Sequence, residues 1–112
     1  MEIKEILTVF EELSVSLKNL HKILHLEEKP KLVAEKEQLT LAPDFWNNTE
    51  RAKKISKELD LLKTDISAYQ NLAKNLEDNK ALFELVQEMQ DEAELKNLEN
   101  NLKTLKEDFA RL

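Results

Sequence analysis

The sequence predicts an all-α protein, an elongated antiparallel helical bundle with coiled-coil-like seams, and three observations carry that expectation. Leucines and other apolar residues recur in alternating steps of three and four along most of the chain, the spacing that lines one face of a helix. Glycine is absent and proline occurs only at Pro30 and Pro43, so few positions interrupt a helix. Charged residues make up 36% and hydrophobic residues 41% of the 112 residues. That mixture gives each helix a packing stripe and a solvated face, whereas disordered chains carry too few apolar side chains to fold. About five helices, three long and two short, are expected in a single helical domain over residues 1–112, because a chain of this length supplies one core.

In the first helix, expected from about residue 2 to 25, Ile3, Ile6, Phe10, Leu13, Leu17, Leu20 and Leu24 form an unbroken heptad seam. His21 and His25 stand one turn apart beside it, a spacing that can hold zinc. No clear third ligand accompanies them, so they read as surface histidines favoured near a helix C-terminus. Pro30 suits the first turn of a short second helix ending near Leu41, with a narrower apolar face of Leu32, Val33, Leu39 and Leu41.

The corner of the molecule is Leu41-Ala42-Pro43-Asp44-Phe45-Trp46-Asn47-Asn48-Thr49-Glu50. Pro43 pushes Ala42 out of the helical region and ends the second helix. Asn47 and Glu50 are spaced as a capping box that opens the third. Phe45 and Trp46 lie between stop and start. With only 5% aromatic residues in the chain, both are expected to be largely buried as a plug fixing the angle between helices, a partner-binding knob being the other reading. The longest helix follows, about residues 49 to 77, with Ile55, Leu59, Leu62, Ile66, Tyr69, Ala73 and Leu76 on its seam and a length of roughly 40 Å. Arg51, Lys53, Lys54 and Lys57 near its start read as a solvated face, or else as a phosphate contact. Glu77-Asp78-Asn79-Lys80 is expected to break the seam before a short helix with Leu82, Leu85, Val86 and Met89. Asp91 and Glu94 then open a last helix whose stripe is Leu95, Leu98, Leu102, Leu105, Phe109 and Leu112. The apolar pattern is still running at Leu112, which reads as a domain boundary.

Pro43-Asp44-Phe45-Trp46-Asn47, followed by Glu50-Arg51-Ala52 and Lys57-Glu58-Leu59, resembles the N-terminal domain of the bacterial peptide chain release factor 2 family. Asn48 departs from the acidic residue common there. Outside the corner the resemblance is one of leucines and charges. It implies a domain of a translation termination factor that associates with the ribosome beside the stalk base of the large subunit and helps position the factor, with the recycling GTPase as a further partner.

Composition narrows the chemistry. Without glycine, phosphate-binding loops, dinucleotide fingerprints and nucleophile elbows are out. So is the Gly-Gly-Gln motif with which whole factors of that family hydrolyse peptidyl-tRNA, and their stop-codon-reading Ser-Pro-Phe is absent too, since Pro30 and Pro43 follow Lys29 and Ala42 and not a serine. No catalytic residue, cofactor or metal site is expected, and with no cysteine disulfides and thiolate sites are excluded. The charged start Met1-Glu2-Ile3-Lys4-Glu5 is unlike a signal peptide, so a soluble cytoplasmic protein without membrane contact is expected. A net charge of -6 argues against sequence-specific nucleic-acid binding by the domain alone. The reading is therefore a monomeric ribosome-positioning domain. The alternative is a coiled-coil scaffold that self-associates through its leucine seams, or a tRNA-gripping arm, which ought to be basic.

Overall fold

The computed structural model describes residues 1–112, and they form four α-helices with no strand. Helix α1 spans Ile3–Ile23, α2 Lys29–Thr40, α3 Thr49–Met89 and α4 Glu92–Ala110, with a 3-10 turn at Phe45–Asn47 between α2 and α3. The all-α expectation is met, but with four helices in place of about five. The predicted break at Glu77-Asp78-Asn79-Lys80 does not occur, and α3 continues for 41 residues. Neither glycine nor proline is present there, and Asp or Asn in a helix costs only about 0.7 kcal/mol each. Buried Leu76 and Phe83 flank the polar stretch two turns apart and outweigh that cost. Glu77 and Asp78 are exposed to solvent, and the other two polar side chains find partners. Asn79 Nδ2 donates to the Asn75 carbonyl at 2.8 Å and Lys80 Nζ to Ser14 Oγ at 3.0 Å.

The chain divides into two compact units. The first comprises residues 1–20 and 70–112. Its core joins Ile6, Val9, Phe10 and Leu13 of α1 to Leu72, Leu76 and Phe83 of α3 and to Leu98, Leu102, Leu105 and Phe109 of α4. Phe10 and Phe83 meet at 5.6 Å between ring centroids, and the Ser14–Lys80 bond runs the opposite way along the chain, so α1 and α3 are antiparallel here. Leu98 and Leu102 are fully covered, each contributing about 1.5–3 kcal/mol of hydrophobic stabilisation. Ile3 is 55% exposed, off the predicted seam, and Val9 replaces it in the core. The Met1 ammonium donates to Glu99 Oε1 at 2.7 Å, a bond that holds the amine above its ordinary pKa.

The second unit, residues 21–69, is built differently. Its buried residues are few: Leu26, Phe45, Ala52 and Leu59. Helix α2 buries none of its side chains. Leu32, Leu39 and Leu41 of its predicted apolar face are exposed, Leu41 most of all. Ion pairs tie α2 to α3 instead: Lys29 Nζ to Asp65 Oδ2 and Lys36 Nζ to Glu58 Oε2, both at 2.7 Å, and Lys63 Nζ to Glu37 Oε1 at 2.9 Å. Lys29 and Lys36 are seven residues apart, as are Glu58 and Asp65. Two turns on one helix therefore match two turns on the other in antiparallel order.

A chain without glycine must turn by other means. Helix α1 ends in a Schellman motif: the Leu26 amide donates to the His21 carbonyl and the His25 amide to the Lys22 carbonyl, both at 3.1 Å. His25 takes the left-handed conformation at φ 53°, and Leu26 is buried beyond it. Helix α3 ends in the simpler left-handed cap, with Gln90 at φ 51° and its amide donating to the Val86 carbonyl at 2.8 Å. Asp91 follows at once as the N-cap of α4, its Oδ1 accepting from the amides of Ala93 at 3.0 Å and Glu94 at 3.2 Å. The cap forms where the Asp91/Glu94 spacing places it, and two residues make the reversal.

Candidate interaction surface

The corner lies wholly in the second unit. The Leu41 and Ala42 amides donate back to the carbonyls of Gln38 and Leu39, closing α2 with a tight turn before Pro43. The Phe45 amide donates to the Ala42 carbonyl and the Asn47 amide to the Asp44 carbonyl, each at 3.1 Å, which folds Phe45-Trp46-Asn47 into the 3-10 turn. Asp44 precedes that turn without a side-chain cap, and Pro43, Asp44, Asn47 and Glu50 are exposed.

Two expectations for this corner are corrected. The cap of α3 is Asn48 and not Asn47: Asn48 Oδ1 accepts from the Arg51 amide at 3.1 Å. Asn47 is used up in the 3-10 turn, which moves the helix start one residue on and leaves Glu50 in the first turn with no reciprocal bond. The aromatic pair is also split. Phe45 is buried at 1% exposure, whereas Trp46 is 62% exposed. Their rings meet edge to face at 4.8 Å between centroids and 90° between planes, a favoured aromatic geometry. Adjacent residues of a 3-10 turn point about 120° apart, so a single turn cannot send both rings inward.

Along the first three turns of α3, Trp46 borders an open groove of about 390 Å³ with Thr49, Lys53, Ser56, Lys57 and Asp60, floored by Ala52. Arg51, Lys53, Lys54 and Lys57 enter no ion pair with other side chains. Glu58, the next residue, is turned to α2, where the hydrogen bond from Lys36 holds its carboxyl below the ordinary value. Sequence reading named these four cations but missed the ion pairs of Lys29, Lys36 and Lys63. For Lys29 and Lys36 the signal was available in the matched seven-residue spacings.

The histidines do not form a chelating pair. His21 packs edge-on to Tyr69 at 5.4 Å, while left-handed His25 leaves the helix and is exposed. No three His, Asp or Glu side chains group as a metal site. No helix is long and apolar enough to cross a membrane.

Comparison with known proteins bears on this surface and on the whole chain. The family model of the PCRF domain matches residues 26–112. The chain is 36% identical over 109 residues to peptide chain release factor 2 of Exiguobacterium sp., covering 97% of this chain and 30% of that protein. It is 33% identical over 107 residues to the factor of Staphylococcus epidermidis, covering 96% and 29%. With the factor of Nautilia profundicola the identity is 31% over 106 residues, covering 95% and 29%. The chain thus spans about 30% of the length of these relatives. No solved structure matches it. An all-α chain with a Pro-Asp-Phe-Trp-Asn corner, related over nearly its whole length to release factors, belongs to the PCRF domain family.

Proposed function

We propose that this chain is the N-terminal positioning domain of a class I release factor, acting in translation termination in the cytoplasm. It associates with the ribosome beside the large-subunit stalk base and orients the longer factor, with the recycling GTPase as a second contact. The observation that carries this reading is the relation to peptide chain release factor 2 over 95–97% of the chain. The chemistry of the chain supports a role without catalysis: lacking glycine, it cannot supply a Gly-Gly-Gln loop, and stop-codon reading and hydrolysis belong to the rest of the factor. The packing supports a monomer. The seam leucines of α4 are consumed within the first unit's own core, so that seam is not free for a coiled-coil partner.

The test is to add the purified chain to ribosomes halted at a stop codon, measuring co-sedimentation and peptide release together. Binding that competes with the whole factor, without release above the factor-free background, is expected. Release by the chain alone, or failure of excess chain to compete, would overturn the reading.

A further inference from the structure

Trp46 is the only tryptophan in the chain, and the fold covers little of it. Phe45 beneath holds the indole in place at 90° while 62% of the residue stays in solvent. The groove it borders runs along one face of α3, where Lys53 and Lys57 follow one another by a single turn, about 6 Å along the axis. From Arg51 to Lys57 there are four cations and no acid. Neighbours at i,i+3 and i,i+4 are therefore like-charged (Arg51 with Lys54, Lys53 with Lys57, Lys54 with Lys57), an arrangement that disfavours an isolated helix. Glu50 one turn before Lys53 and Lys54, Asp60 one turn after Lys57, and Glu58, whose carboxylate Lys54 helps to stabilise, offset part of it, although none of the four cations closes a side-chain ion pair. The net charge of -6 belongs to the whole chain; the groove itself is lined by two cations, Lys53 and Lys57, and one acid, Asp60.

We propose that this groove binds single-stranded RNA. One base stacks on Trp46, its flanking phosphates lie against Lys53 and Lys57, and the hydroxyls of Thr49 and Ser56 donate to phosphate or sugar oxygens. An aromatic platform interleaved with cations is the arrangement that takes unpaired bases without regard to sequence. An acidic peptide would use the cations but make no comparable use of the indole. Asp60 repels phosphate at the far end of the groove and confines the contact to one or two nucleotides. The assignment deepens the ribosome-association reading and rests on it for the source of the RNA.

Trp46 fluorescence reports binding directly. The chain is titrated with a ten-residue oligouridine RNA at low and at raised salt, and in parallel with a decamer of glutamate. Saturable quenching by the RNA is expected, weakening as salt rises. The double variant Lys53→Ala/Lys57→Ala, checked for unchanged helicity, is expected to bind about tenfold more weakly or worse. Trp46→Ala, followed by anisotropy of a labelled oligonucleotide, is expected to lose about tenfold or more, the share of a stacked base. Absence of quenching, equal quenching in the double variant, or quenching by the glutamate peptide alone would overturn the proposal. Ribosome binding without oligonucleotide binding defeats this inference only. Oligonucleotide binding without ribosome binding defeats the positioning reading and leaves the groove standing.

Discussion

Replacing Phe45 and Trp46 with alanine, one at a time, separates two neighbouring aromatic residues into a core residue and a surface residue. Phe45, at 1% exposure, takes its whole ring out of water, and Phe45→Ala removes that transfer term and leaves a cavity, for a cost of about 3–5 kcal/mol. Trp46, at 62% exposure, forfeits mainly its edge contact with Phe45, about 0.5–1.5 kcal/mol, and some partial burial. Trp46→Ala is therefore expected to cost about 1–2 kcal/mol. Against a total stability on the order of 5–15 kcal/mol, the first change is severe and the second mild. Urea unfolding followed by far-ultraviolet ellipticity measures both on one scale, and the wild-type emission maximum reads the wetness of the indole independently. Equal costs, or a larger cost for Trp46 with emission already blue-shifted, would refute the split of the pair.

Two further outcomes follow from the same geometry. His25→Gly and Gln90→Gly are each expected to raise stability by up to about 1 kcal/mol, since glycine enters the left-handed region without the Cβ clash that histidine and glutamine carry there; unfolding midpoints that fall in both variants would contradict the capping assignment. The Lys36–Glu58 pair makes stability depend on pH: because the folded carboxyl lies below its ordinary value, its contribution is present above the usual glutamate range and is lost as pH falls through the lowered value. Wild type is thus expected to exceed Glu58→Gln in urea midpoint near neutrality and to converge with it in acid, and a gap unchanged in acid would contradict the pair's role.

Much of this architecture was legible in the heptad pattern. Ile6, Phe10 and Leu13 of α1 and Leu98, Leu102, Leu105 and Phe109 of α4 are buried where their spacing places them. The seam failed where local signals were weighed without tertiary context. The four polar residues 77–80 look like a break in one dimension, but Leu76 and Phe83 clamp the helix on both sides, and Lys80 finds Ser14 of another helix. In α2 the leucines promised a packed face, and the fold chose lysines and glutamates that form ion pairs across to α3. At the corner, Pro43 marked the stop correctly. Which of two adjacent asparagines caps α3, and which of two adjacent aromatics turns inward, depends on a 3-10 turn that carries no hydrophobic period of its own. The left-handed residues were hidden for a related reason. Glycine is the usual marker of such positions, and this chain turns at His25 and Gln90 instead.

The proposed positioning role has the chain contribute surface and reach to a longer factor and no chemistry. Rapid-mixing kinetics on that factor, with and without residues 1–112, tests it most directly. Deletion is expected to slow capture by stop-codon ribosomes, with a smaller effect on peptide release at saturation, because charge complementarity acts on encounter and orientation. Unchanged capture with a greatly reduced saturating rate would contradict the claim and would place this chain's influence on the chemical step.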